Sequence, residues 1–261
     1  NVVVFRTLNK EDIRKIVRIE VDKVASRLGE NQIALEISEA ALDLIASEDS
    51  RKTSVLLRHY EISKPQTALN NFNERKVVPK LLERLERGET IALVTDAGTP
   101  GISDPGYLLV HAALEAGIEV QSIPGPSAVI MALTLADLPL HSFTFKGFPP
   151  NKEGPRKRFI AMEVESPHTL VFYESPYRLV AFLNNCLQIL GDRQAVVAND
   201  LTKKFERHYR GKLSEIIETL SSETIRGEFV ISIEGLRKVK TKTKEDSDPE
   251  GLNTHPRLRR V

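Results

Sequence analysis

The apolar run Ile91-Ala92-Leu93-Val94 leads straight into Thr95-Asp96-Ala97-Gly98-Thr99-Pro100-Gly101-Ile102-Ser103-Asp104-Pro105-Gly106, and a helical stretch over 107–116 follows. A strand, a turn rich in Gly and Pro and then a helix make half of a βαβ unit. The pattern recurs along the chain. A helix over 77–85 precedes it, and Ile123-Pro124-Gly125-Pro126-Ser127-Ala128 reads as a second turn between a strand and a helix over 128–135. Strands with crossover helices imply a parallel α/β layer. After 138–148, which reads as a hinge, a second alternation follows: strand 169–173, helix 176–190, strand 195–198, helix 213–220 and strand 229–233. The expectation is therefore two α/β lobes, 46–140 and 141–236, with a basic tail over 237–261 that is too poor in apolar residues to pack.

Composition removes several classes of function. The 261 residues are 41% hydrophobic and 28% charged, which fits a packed globular chain rather than a rod or a disordered polymer. Lys+Arg 37 against Asp+Glu 36 leaves a net charge of +1, so any contact with nucleic acid is local rather than spread over the surface. One cysteine, Cys186, forms no internal disulfide and no metal site, and points to a reducing, cytoplasmic compartment. No apolar run is long enough to span a membrane. The chain opens on Asn1 with no signal-peptide pattern, and reads as cut at that end.

Chemistry concentrates at the turns. Ligands of open parallel sheets bind at the carboxyl ends of strands. Glycines let backbone approach a ligand closely, while prolines stiffen the loop. The same residues also serve an ordinary rigid turn. Neither turn ends in the Lys-Ser or Lys-Thr of a nucleoside-triphosphate loop, and the spacing is not that of a dinucleotide fingerprint. A phosphate-free or cationic cofactor is the better match. A one-sided basic stretch, Pro149-Pro150-Asn151-Lys152-Glu153-Gly154-Pro155-Arg156-Lys157-Arg158, reads as a charged loop suited to phosphates.

Taken in order, Glu48-Asp49-Ser50-Arg51-Lys52-Thr53, Asn73-Glu74-Arg75, the 95–106 loop, Pro124-Gly125-Pro126-Ser127-Ala128, Phe172-Tyr173-Glu174-Ser175-Pro176-Tyr177-Arg178 and Leu201-Thr202-Lys203-Lys204-Phe205-Glu206 resemble the motif series of the bacterial 16S ribosomal RNA cytidine 2′-O-methyltransferases of the tetrapyrrole methylase superfamily. The resemblance runs from about residue 44 to 235. It implies two α/β lobes of tetrapyrrole methylase type around a cleft for S-adenosyl-L-methionine, a cytoplasmic homodimer without metal, and methyl transfer to a ribose 2′-hydroxyl of the small ribosomal subunit. Ala97, Gly98, Thr99, Pro100, Gly101, Ile102 and Ser103 match the cofactor loop, and Pro124, Gly125, Ser127 and Ala128 match its second wall. Glu48, Asp49, Glu174 and Lys203 are candidates for the proton-accepting and alkoxide-stabilising roles, with surface or capping roles as the alternative for each. Arg51, Arg75, Arg156, Lys157, Arg158, Arg178 and Lys204 are the candidate RNA contacts. His208 reads as an exposed polar residue, and Asn199, Asn71 and Phe72 depart from the pattern.

Residues 1–45 differ. They read as a small α/β segment: an apolar strand Val2-Val3-Val4-Phe5, a helix capped by Asn9 and stopped at Gly29, a strand with Ile33, Leu35 and Ile37, and a second helix carrying Leu42, Leu44 and Ile45. Val3-Val4-Phe5-Arg6-Thr7-Leu8-Asn9-Lys10-Glu11-Asp12-Ile13-Arg14-Lys15-Ile16-Val17 and Ala41-Leu42-Asp43-Leu44-Ile45-Ala46 resemble the C-terminal small subdomain of a Clp-type AAA+ disaggregase, in place of the methylases' opening strand and turn. Two other functions fit the lobes: a methylase of tetrapyrrole-like small molecules, and an inactive interaction module.

Overall fold

The computed structural model describes residues 43–59, 61–123 and 125–237. Of the Clp-like reading of 1–45, residues 1–42 lie outside the described residues, as does the tail beyond 237. The chain divides into two compact units, Asn1–Pro126 and Ser127–Val261.

In the first unit, β1 (Leu44–Ser47), β2 (Gln66–Ala68) and β3 (Ile91–Val94) form a parallel sheet in the order β2-β1-β3. Leu44 and Ile45, expected at the end of a helix, instead pair with Ile91 and Ala92 in β1. An apolar stretch of four residues is too short for its periodicity to separate helix from strand, and here sheet pairing decides. All four β1 residues are buried, as a central parallel strand requires. Leu44 and Ala46 pack with Leu69, with Val78 and Leu81 of α2 (Glu74–Glu86), and with Leu109 of α3 (Tyr107–Glu115). The sequence shows no signal for α1 (Ser50–His59), a mostly polar helix that buries only Thr53. The strand expected before the second turn does not form: residues 118–123 carry no ladder.

The second unit holds a five-stranded sheet in the order β4-β5-β8-β6-β7, built from β4 (Phe143–Phe145), β5 (Thr169–Glu174), β6 (Gln194–Asn199), β7 (Arg207–Lys212) and β8 (Phe229–Ile233). Only β4 and β5 are parallel; β8 runs antiparallel between β5 and β6, and β7 lies antiparallel along β6. The expected strand-helix-strand direction from β5 to β6 is present, but the gap between them is filled by the last strand. Phe143–Phe145 therefore forms an edge strand inside the expected hinge. One face is covered by α5 (Glu153–Ala161), α6 (Leu179–Leu190) and α7 (Leu213–Ser221) around Phe172, Phe182, Ile160 and Ile216. The Phe172 and Phe182 rings meet edge to face at 5.1 Å. The other face takes α4 (Ala128–Thr134), whose Val129, Ala132 and Leu133 pack on Val171, Ala198 and Val230. The unit boundary thus falls after Pro126 rather than after residue 140, because the buried side of α4 belongs to the second sheet.

Candidate functional site

All three parallel strands of the first unit end at one edge. There Glu48 N–H donates to Val94 C=O at 3.1 Å, and Asp96 N–H donates back to Glu48 Oε2 at 3.1 Å, which ties the ends of β1 and β3. Lys52 Nζ donates to Asp96 Oδ2 at 2.6 Å. Asp49 accepts Arg51 N–H at 2.9 Å and Arg51 Nη2 at 2.9 Å. The Arg51 hydrogen bonds hold the Asp49 carboxyl down to about 2, so it is a capping anion for α1 and a feeble base, contrary to the role the motif resemblance offered. The Arg51 guanidinium is 90% exposed, yet that clamp engages it.

The loop after β3 is braced from within. Gly101 N–H donates to Pro105 C=O at 3.2 Å and Ile102 N–H to Thr99 C=O at 3.2 Å. Gly98 and Gly101 have φ of 75° and 79°, and Ser103 has φ of 62°. A Cβ at Gly98 would meet nothing within 4 Å, so the space above that backbone is open. Thr99 Oγ1 donates to Pro126 C=O at 3.3 Å, which brings the second turn to the first. Of that turn, Gly125 is exposed, Pro124 lies outside the described residues, and Ser127 and Ala128 open α4 as N-cap and first residue.

Two residues absent from the sequence-based roles complete this edge. Asp104 is pushed up to about 6, first by burial and then by the neighbouring carboxylates Glu48 and Asp96. It stands one position beyond the cofactor-loop residues read from the sequence. Glu74 is buried at the start of α2, and its Oε1 accepts Gly106 N–H at 2.9 Å and Leu108 N–H at 3.1 Å. An acidic residue in the first turn of a helix reads as ordinary dipole compensation, so its reach to another helix has no local signal.

The candidates of the second unit are mostly occupied. The Glu174 side chain is 0% exposed; Oε1 pairs with Arg178 Nη2 at 2.5 Å, while Oε2 is buried with no hydrogen-bond partner among the described residues. Arg178 also donates to Ser175 Oγ, Pro149 C=O and Asn151 Oδ1. Arg156 is 6% exposed, and donates to Asn185 Oδ1 at 2.7 Å and Asn151 C=O at 3.2 Å. Neither Arg156 nor Arg178 is therefore the open phosphate contact read from the sequence. The basic stretch is not a loop throughout, because residues from Glu153 form α5 and Pro155 falls in its first turn, where a missing N–H costs nothing. Lys157 faces Glu153 at 2.9 Å, Arg158 and Arg75 are exposed, and Lys204 lies over the Phe205 ring at 5.4 Å. Lys203 bridges Asp200 at 2.9 Å and Glu228 at 3.1 Å, and its hydrogen bond to Asp200 raises its proton affinity, so it is a paired cation. His208 is partly buried rather than exposed, with its side chain 16% accessible and Nε2 at 2.7 Å from Glu206. A cavity of about 180 Å³ lies between Phe205, Arg207, Tyr209, Glu223 and Arg226. Among the described residues no His, Cys, Asp or Glu group is arranged to hold a metal, and no helix is long and apolar enough to cross a membrane.

A parallel sheet ending in a glycine-braced, carboxylate-lined loop, followed by a mixed-sheet unit, defines a two-unit α/β protein. Residues 21–217 match the family Tetrapyrrole (Corrin/Porphyrin) Methylases, and the chain belongs to that family. It is 41% identical over 194 residues to the Ribosomal RNA small subunit methyltransferase I of Streptococcus pyogenes serotype M3 (strain ATCC BAA-595 / MGAS315), covering 74% of this chain and 68% of that protein. The fold is similar to that of a cobalamin biosynthetic enzyme, cobalt precorrin-4 methyltransferase, at a TM-score of 0.53 and 17% identity over 74% of this chain and 84% of that one. It is also similar to uroporphyrin-III C-methyl transferase from Thermus thermophilus complexed with S-adenyl homocysteine, at a TM-score of 0.50 and 18% identity over 73% and 85% of the two chains.

Proposed function

We propose that the chain moves the methyl group of S-adenosylmethionine to a ribose 2′-hydroxyl of small-subunit ribosomal RNA. The observation that carries this reading is the 95–106 loop at the carboxyl edge of a parallel sheet, in a chain 41% identical to a ribosomal RNA methyltransferase. The residues fit the cofactor. Open space above Gly98 admits a ligand against the backbone, and Glu48, Asp96 and Asp104 give the edge a negative field that suits a sulfonium cation. Ala97 to Ser103 would hold it, with Thr99 fixing the Gly125 turn alongside. When bound, the cofactor supplies a sulfonium-borne methyl group, so that a C–O bond forms as a C–S bond breaks.

The chain's own part is positioning and proton removal. A ribose hydroxyl becomes a competent nucleophile as a base takes its proton, and such a base works best near the operating pH. Asp104, held near 6, suits that task far better than Asp49, held near 2. The exposed Arg75, Arg158 and Lys204 are left to meet phosphates. The reading extends to a cytoplasmic homodimer, and to a Clp-like opening segment that carries no nucleotide loop and adds no ATPase activity.

The test is transfer of labelled methyl from S-adenosylmethionine to purified small ribosomal subunits, followed by alkaline hydrolysis of the RNA. The label should remain in a dinucleotide resistant to alkali, because a methylated 2′-oxygen cannot attack its own phosphate. Label on a base, or none in RNA with intact cofactor binding, would rule the reading out.

A further inference from the structure

Asn70, Asn71, Phe72 and Asn73 turn the chain from β2 into α2, and the turn is locked by its own side chains. Asn70 Oδ1 accepts Phe72 N–H at 3.1 Å and Asn73 N–H at 3.2 Å, while Asn73 Oδ1 accepts Asn70 N–H at 2.8 Å and Asn73 Nδ2 donates to Ala68 C=O at 3.0 Å. At the tip of this braced turn Phe72 is 101% exposed. Folding gains nothing from an aromatic ring held there. The next residue but one, Glu74, turns inward to the N–H groups of Gly106 and Leu108, so the turn is fastened to the end of the 95–106 loop. The outward-facing residues are Asn71, Phe72, Arg75 and Lys76, all exposed: amide, aromatic ring and two cations, with no carboxylate among them.

An exposed ring beside cations is how single-stranded nucleic acid is held without base-specific contacts, because every base has a face to stack and every nucleotide a phosphate to pair. We propose that Phe72 is a stacking platform for an unpaired nucleobase of the RNA, with Arg75 and Lys76 on the adjoining phosphates. The inference rests on the RNA reading above and adds to it the state of the substrate: a strand with a base out of its helix, docked at a fixed distance from the 95–106 loop through Glu74.

The experiment uses the full chain, a short unstructured fluorescein-labelled RNA, and anisotropy titrations over a salt series. Phe72→Ala and Phe72→Leu should each weaken binding by about 5- to 100-fold, and Phe72→Trp should restore it. Melting temperature and calorimetric affinity for S-adenosylmethionine should stay as in the wild type. The salt slope should be unchanged by the Phe72 variants and should fall by about one charge in Arg75→Gln. Wild-type affinity in Phe72→Ala, or full affinity in Phe72→Leu, overturns the stacking role while leaving the RNA reading in place. A wild type that binds S-adenosylmethionine but no RNA overturns both. A Phe72→Ala variant that changes only its mass by light scattering makes the ring a protein contact, and also overturns the proposal.

Discussion

Glu74 Oε1 accepts the backbone N–H groups of Gly106 and Leu108, at 2.9 and 3.1 Å, so a side chain of α2 caps the amino end of α3. The first N–H groups of a helix have no partner within it, and Gly106, the N-cap, has no side chain to offer one. The anion also suits the positive end of the helix dipole.

Glu74→Ala should therefore cost about 2–3 kcal/mol, since one buried and one half-buried donor lose their acceptor. Glu74→Gln keeps an acceptor and should cost about 1 kcal/mol, chiefly the lost charge. Urea denaturation separates the two variants. Equal midpoints for Ala, Gln and wild type would remove Glu74 from the structural role argued for it.

Gly106 and Gly98 should part company on substitution. Gly106 has φ of 131°, and an added Cβ would lie 2.5 Å from Leu93 Cδ2. The leucine methyl can swing aside, so the backbone strain dominates and Gly106→Ala should lose about 2 kcal/mol. Gly98→Val meets no neighbour within 4 Å at its Cβ, but a β-branched residue at φ of 75° is strained, and its expected loss of stability is about 2 kcal/mol. Its expected effect on calorimetric binding of S-adenosylmethionine is abolition. A Gly98→Val protein with unaltered cofactor affinity takes the loop out of the site.

Asp104 gives the stability an unusual slope with pH. Its carboxyl is raised from 3.8 to about 6 in the folded chain, so between these values the folded state binds more protons than the unfolded one. Stability from this group thus falls as pH rises through that window. Asp104→Asn should be more stable than wild type at pH 7.5 by about 1 kcal/mol, after allowance for solvent screening, and the gap should close below pH 4. Methyl transfer should be lost in the same variant, and the wild-type kcat/KM should rise through an apparent pKa near 6. A stability gap that is constant across pH speaks against the raised carboxyl.

Arg178 should behave as the partner of a buried carboxylate rather than a phosphate contact. Arg178→Ala leaves the fully buried Glu174 carboxylate without a counter-charge, with only the Ser175 N–H at 2.7 Å, and should cost about 3 kcal/mol. Adding Glu174→Gln should recover part of that loss in a double-mutant cycle. If Arg178→Ala instead melts like wild type and only lowers the salt slope of RNA binding, the guanidinium faces RNA after all.

Much of the fold is legible in the sequence wherever apolar residues run continuously. The runs 91–94, 169–173, 195–198 and 229–233 are strands in the structure because each is apolar and bounded by turn residues. β7 is not legible: Arg-His-Tyr-Arg-Gly-Lys is an edge strand whose ladder to β6, rather than any apolar face, keeps it extended. The insertion of β8 between β5 and β6 is likewise invisible, since alternation of elements does not encode strand order. At the site, the turn residues were readable because φ and close approach select Gly and Pro locally. Partners across the fold were not. Arg156 looks like any surface arginine until Asn185 and Asn151 close over it, and His208 until Glu206 does.

The four residues of β3 are all partly exposed at the rim of their sheet, while the five of β8 are all buried. The chain's protection is therefore uneven. Amides of β3 should exchange ahead of those of β8, whose opening should need global unfolding. The loop that follows β3 inherits that looseness. A ligand seated on it does more than occupy a site: by binding only the native form, it raises the opening free energy of the sheet that carries the loop, and slows hydrogen exchange well beyond the atoms it touches.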